Sequence, residues 1–166
     1  MMTPYGPWGM PLAVSYIQGS EQYPQIRGQV SFYDMQGGTR VCAQVWGLPL
    51  NSPEGVTPMV GPFFAFHLHA GAECTPVSGS DAFDDTDGHY NPDDQPHPRH
   101  AGDFPVLLSN QGYAEMCFFT DRFSPWDAVG HTTVIHLLLD DYRSQPAGAA
   151  GLKIACGVVQ PAMSYS

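Results

Sequence analysis

Apolar and polar residues alternate along most of this chain in short runs, and the dominant period is two. Strand-like runs are read at 13–17, 26–34, 39–46, 63–70, 113–120, 132–139 and 153–160, separated by stretches rich in Gly, Pro, Asn and Asp. Gly37-Gly38, between the second and third runs, predicts a tight hairpin. No amphipathic helical stretch and no internal repeat breaks the series, so the pattern predicts an all-β domain, a β-sandwich or Greek-key barrel. Two segments stand outside the pattern. Residues 1–12 carry no periodicity and are expected to form a loosely ordered leader to a single domain over 13–166. Residues 71–102 are dominated by Asp, Pro, Gly and His, and a structureless stretch of that length inside a small domain predicts a binding or catalytic loop.

Composition narrows the function. At 166 residues with 43% apolar content the chain can bury one core, and three Trp, eight Tyr and nine Phe argue against a disordered polymer. Acids outnumber bases 16 to 6, for a formal net charge of -10. Phosphate backbones and anionic membranes are bound by clustered Lys and Arg, so neither nucleic acid nor a membrane surface is expected as a partner. No run approaches the roughly 20 apolar residues of a membrane helix. The first residues lack a basic segment followed by an apolar one, so a cytoplasmic location is expected. Cys42, Cys74, Cys117 and Cys156 lack the short paired spacing of a zinc ribbon, and their pairing stays open.

The seven histidines gather in the middle of the chain, around the acidic loop. In Phe63-Phe-Ala-Phe-His-Leu-His-Ala70, alternation places His67 and His69 on the face opposite Phe64, Phe66 and Leu68. The aromatic face is the core, so the two imidazoles point away from it and are close enough to converge on one metal. A lone His-x-His pair is more often simply two solvent-facing side chains. The loop adds His89, His97, His100 and Asp103, three imidazoles and a carboxylate such as a tetrahedral zinc site takes. His136 closes the apolar strand Thr-Thr-Val-Ile-His and by itself would read as a core histidine. Together the set suffices for two metals.

The ordered series His67-Leu-His69, Cys74, Gly88-His89-Tyr-Asn-Pro92, His100-Ala-Gly-Asp103, Gly130 to His136 and Ala155-Cys-Gly157 resembles the copper/zinc superoxide dismutases over roughly residues 13–160. The resemblance implies an eight-strand Greek-key β-barrel, immunoglobulin-like in architecture, with long metal-binding loops. It implies an enzyme that converts superoxide to oxygen and hydrogen peroxide by copper redox cycling, with a structural zinc. On this likeness His67, His69, His89 and His136 would hold copper, and His89, His97, His100 and Asp103 would hold zinc. His89 would bridge the two ions and donate a proton in turn. Asp140 matches the carboxylate that joins a copper histidine to a zinc histidine, with Asp141 the competing choice. Cys74 and Cys156 match the intrasubunit disulfide. Cys42 and Cys117 lie outside the family pattern, and the paired strands the family implies predict adjacent thiols or a second bridge there. A homodimer is left open.

Three departures bear on catalysis. Lys153 stands where the family usually places an arginine at the mouth of the copper channel. It keeps the charge but loses the planar fork, so anion guidance is expected to survive while a hydrogen bond to the substrate weakens. The segment between His97 and His100 and the one after His136 are abbreviated, with no cluster of charged guides beyond Arg143. His131 is expected to be a surface histidine. These departures motivate an alternative, a non-catalytic metal-binding or coat-type protein that keeps the barrel; a zinc hydrolase lacks a general base beside an open zinc position.

Overall fold

The computed structural model describes residues 8–50 and 60–163. Among the described residues nine strands run in chain order: β1 (Ala13–Gly19), β2 (Arg27–Met35), β3 (Gly38–Trp46), β4 (Phe63–Phe64), β5 (Phe66–His69), β6 (Leu107–Leu108), β7 (Ala114–Thr120), β8 (Thr132–His136) and β9 (Lys153–Pro161). Seven of them form a curled antiparallel sheet in the order β5-β8-β9-β1-β2-β3-β7, while β4 and β6 pair as a separate ribbon. One helical turn, α1 (Pro125–Ala128), precedes β8. The fold is the β-barrel architecture that the alternating pattern predicts.

Differences from the sequence reading are local. The run read at 63–70 is cut at Ala65, whose amide and carbonyl turn to Leu138 and His136 in place of a ladder partner, so β4 and β5 separate. The β2–β3 hairpin turns on Gln36-Gly37, one residue earlier than Gly37-Gly38, because Gly38 already pairs with Met35. Of the expected leader, residues 1–7 lie outside the described residues. Residues 8–12 lie against the sheet, with the Leu12 amide donating to Phe32 O at 2.8 Å and the Arg40 guanidinium 3.6 Å above the Trp8 ring.

Alternation explains the burial. Phe64, Phe66, Leu68, Ile135 and Ile154 fill the inside with Phe32, Phe104 and Leu107, and each fully buried aliphatic or aromatic side chain contributes on the order of 2 kcal/mol. The loop over 71–102 is not structureless. It holds two single turns, Gly79–Asp81 and Asp84–Thr86, and it buries Ala82 and Phe83 against Val134 and Cys156 on the outer face of the sheet. Two apolar residues in a polar stretch are too few to register as a pattern, yet they suffice to seat the loop. A bond between Cys74 and Cys156 ties it to β9 beside that cluster.

The free edge of β5 is covered by the loop itself. Leu68 donates to Gly102 O at 2.9 Å and accepts from Tyr90 N at 2.8 Å, while Ala70 donates to Gly88 O at 2.8 Å. This edge pairing sets His69 opposite His89 and His67 opposite Asp103. It demands close approach, since a Cβ at Gly102 would overlap the Leu68 carbonyl, whereas one at Gly88 would meet nothing within 4 Å. Gly102→Ala is therefore expected to lower stability by about 2 kcal/mol, and Gly88→Ala by less than about 1. Thermal unfolding of the two variants checks this; equal midpoints would show that the edge contact does not govern the loop.

Candidate metal centre

Two sets of ligand-type atoms converge on the outer face of the sheet. One is His67, His69, His89 and His136; the other is His89, His97, His100 and Asp103; within each set the candidate atoms lie within 4.8 Å of one another. His67 and His69 come from β5, and His136 from the end of β8, beyond Val134, which pairs with His67. The remaining four come from the loop laid along the β5 edge. His67 and His69 point out of the core as alternation requires, but they are 0% and 2% exposed, because the loop roofs them. The solvent-facing pair that an isolated His-x-His suggests is thus excluded.

Hydrogen bonds fix one nitrogen of most rings and leave the other free to bind. His67 Nε2 donates to Asp140 Oδ2 at 2.7 Å and His97 Nε2 to Asp140 Oδ1 at 2.9 Å. His69 Nδ1 donates to Asp87 O at 2.7 Å, and His136 Nδ1 to Gly151 O at 3.2 Å. The opposite nitrogens, His67 Nδ1 and His97 Nδ1, are buried without a hydrogen-bond partner, although His97 Nδ1 lies 3.0 Å from Asp103 Oδ1. His69 Nε2 and His136 Nε2 face each other at 3.2 Å. Orienting one ring nitrogen through a carbonyl or carboxylate so that the other can ligate is how metal-binding histidines are held.

His89 belongs to both sets. Its Nδ1 sits 2.7 Å from Asp103 Oδ1 and 3.1 Å from His100 Nδ1, while its Nε2 is buried with no partner. Asp103 also accepts from the His100 amide at 2.8 Å. A buried, unpartnered ring nitrogen costs free energy unless something electrophilic meets it. The donor chemistry fits two different ions: an all-imidazole set suits copper, and three imidazoles with one carboxylate suit zinc.

Burial, reinforced by the neighbouring imidazoles, holds His67 and His69 well below the ordinary histidine range. Burial likewise lowers His136 to about 3 and lowers His100. Burial alone would raise Asp103, but the His89 hydrogen bond and the surrounding imidazoles hold its carboxyl below its usual range. Neutral imidazoles and an ionised carboxylate are the forms that bind cations.

Each residue singled out in the sequence has a definite place. Asp140 is fully buried between the two sets, whereas Asp141 caps Arg143 N and Ser144 N at the surface. Lys153 Nζ is half-buried and meets Thr86 Oγ1 at 2.8 Å, Asp87 O at 3.2 Å and Phe83 O at 3.3 Å, so all three of its protons point at the loop. Burial lowers the affinity of Lys153 for its proton, against the pull of Asp84, Asp87 and Asp85. His131 stands outside both sets, donating to Ala70 O at 2.7 Å and lying 4.5 Å from the Tyr90 ring. Arg143 is exposed.

Two residues of the site carry no signal in the sequence. Tyr142 donates from its backbone to Asp140 Oδ1 at 2.7 Å, while its hydroxyl accepts from Val106 N at 2.9 Å and donates to Phe104 O at 3.2 Å. The Gln145 side-chain amide accepts from His97 N at 3.0 Å and donates to His97 O at 2.7 Å. A Tyr and a Gln in a short polar loop match no spacing rule; only the approach of the two loops gives them work.

Comparison with known proteins agrees with this geometry. A family model described as copper/zinc superoxide dismutase matches residues 26–159. The chain is 32% identical over 159 residues to a Cu-Zn superoxide dismutase of Deinococcus radiodurans, covering 84% of this chain and 80% of that one. It is 31% identical over 151 residues to Cu-Zn superoxide dismutase 2 of Aquifex aeolicus, covering 82% and 80%. It is also 31% identical over 147 residues to the extracellular Cu-Zn superoxide dismutase of Mus musculus, covering 82% of this chain and 54% of that one. Neither the family match nor these relatives lend support to the coat-type alternative. The matched span holds both histidine sets and the strands that carry them, and the chain belongs to the copper/zinc superoxide dismutase family.

Proposed function

We propose that this chain dismutates superoxide to oxygen and hydrogen peroxide, with His67, His69, His89 and His136 holding copper and His89, His97, His100 and Asp103 holding zinc. One observation carries the assignment: His89 has its Nδ1 in the zinc-type set and a buried, unpartnered Nε2 aimed out of it. When bound, copper supplies reversible one-electron chemistry and zinc a fixed charge that does not change oxidation state. Everything else falls to the protein.

Dismutation consumes two superoxide ions and two protons. His89 is suited to deliver one of them: Nδ1 is committed to the zinc-type set, which leaves Nε2 as the atom that takes up and releases a proton. Asp140 keeps the His67 and His97 rings in fixed orientation, and the carbonyls of Asp87 and Gly151 do the same for His69 and His136. The geometry at His89 is therefore set before substrate arrives. Lys153 contributes positive charge behind the loop and secures Asp87, whose carbonyl orients His69. With its protons engaged it acts through its field and through the loop, in keeping with the loss of a planar fork at this position.

We also propose a homodimer. Phe63 and Leu108, paired directly across the β4–β6 ribbon and 44% and 48% exposed, form the apolar face suited to a second copy.

His89→Ala is expected to slow superoxide decay, followed by stopped-flow with the metal content of each sample measured, by at least about a hundredfold; wild-type turnover by that variant would overturn the role of His89. Metal-free protein should have its full stability above about pH 6.5 and lose it as the pH falls towards about 3, because the unfolded chain takes up the protons that buried His67, His69 and His136 refuse. A urea midpoint unchanged between pH 7 and pH 4 would contradict this. Sedimentation equilibrium is expected to give the mass of two chains, and of one for Leu108→Glu; a monomeric parent would refute the dimer.

A further inference from the structure

Cys42 and Cys117 are bonded to each other and play no part in the metal centre. They occupy directly opposed positions of β3 and β7, with Cα atoms 4.1 Å apart, in a ladder whose register runs unbroken from Thr39–Thr120 to Val45–Ala114. The strands are thus held together on both sides of the bond by their own hydrogen bonds. Both side chains project from the outer face of the sheet, with Arg40 and Gln44 on the same face of β3 and Glu115 and Phe119 on the same face of β7. Cys117 is exposed and Cys42 half-buried, whereas Cys156 of the other disulfide is 2% exposed beneath Phe83.

We propose that Cys117 is a thiol-exchange site, where small monothiols form a mixed disulfide with the folded protein. A thiolate attacks a disulfide along the line of the S–S bond, from behind the sulfur it strikes. For Cys117 that line comes in from the far side of β7, the last strand of the sheet, which has no further strand hydrogen-bonded along it among the described residues. For Cys42 it comes in over β2, where Ser31, the residue paired with Cys42, is buried. The open approach therefore selects the Cys117 sulfur.

In the exchange, the incoming sulfur forms a bond to Cys117 Sγ while the Cys42–Cys117 bond breaks. The electron pair of the broken bond leaves on Cys42 Sγ, which then takes a proton from water. One disulfide replaces another, so no oxidant or reductant is consumed. The leaving thiolate appears two residues from Arg40, on the same face of β3. The Arg40 guanidinium stacks 3.6 Å above the Trp8 ring and has a buried Nη1 with no hydrogen-bond partner, a positive charge on the strand that carries the leaving sulfur. Because the β3–β7 ladder does not depend on the bond, the modified protein keeps its fold.

The test uses the full-length protein loaded with copper and zinc, incubated anaerobically with glutathione, quenched in acid and followed by intact mass and peptide mapping. One glutathione per chain, on Cys117, is expected, with Cys74–Cys156 intact. In addition, Cys42→Ser is expected to react with oxidised glutathione about tenfold or more faster than Cys117→Ser, a comparison that reads access to each sulfur separately. An adduct first on Cys74 or Cys156, an adduct on Cys42, no adduct at all, or equal rates for the two variants would each overturn the proposal.

Discussion

A carboxylate with no access to water must find its donors inside the protein, and Asp140 finds three: the imidazoles of His67 and His97 and the amide of Tyr142. These come from β5, from the loop laid along its edge and from the turn after β8, so one side chain ties the β5 histidine and the loop histidine to the turn that follows β8. Take it away and two rings lose the contact that fixes their tautomer, while the two loops lose their shared partner. Tyr142 and Gln145 extend the same contact outward, one to Phe104 and Val106, the other to the backbone of His97. The short segment after His136 thus serves mainly to hold the zinc-type histidine in place. Its brevity, which in the sequence reads as a loss of charged guides, leaves it packed closely on the ring it supports.

The charge distribution follows from that economy. The chain carries a formal charge of -10, and the ammonium of Lys153 is wrapped by Phe83 O, Thr86 and Asp87 O with Asp84 and Asp85 close behind. Among the described residues the basic side chains nearest the two sets are this enclosed lysine and Arg122, whose guanidinium is spent on the carbonyls of Pro98 and His100. Long-range steering is weak in a small protein charged this way.

What could be read from the sequence and what could not divides along physical lines. Alternation is a local property, so the β1, β2, β3, β7 and β9 runs, and the outward direction of His67 and His69, follow from residues a few places apart. The break at Ala65 depends on Leu138 and His136, and the seating of the loop depends on Phe83 meeting Val134 and Cys156. Those contacts join residues far apart in the chain, and no window of sequence contains both partners. The ligand set lies between the two cases: its residue types and spacing are visible, but its gathering into two overlapping groups rests on the pairing of the loop with the β5 edge. Tyr142 and Gln145 escape notice for the same reason.

The covering of β5 by a loop that is itself fastened to β9 carries a consequence for synthesis. A chain emerging from the ribosome presents His67 and His69 long before Asp140 exists to align one of them, and before β9 supplies Cys156 and the surface on which Phe83 rests. The alignment of these rings and the seating of the loop that roofs them are therefore completed only when the last strand docks.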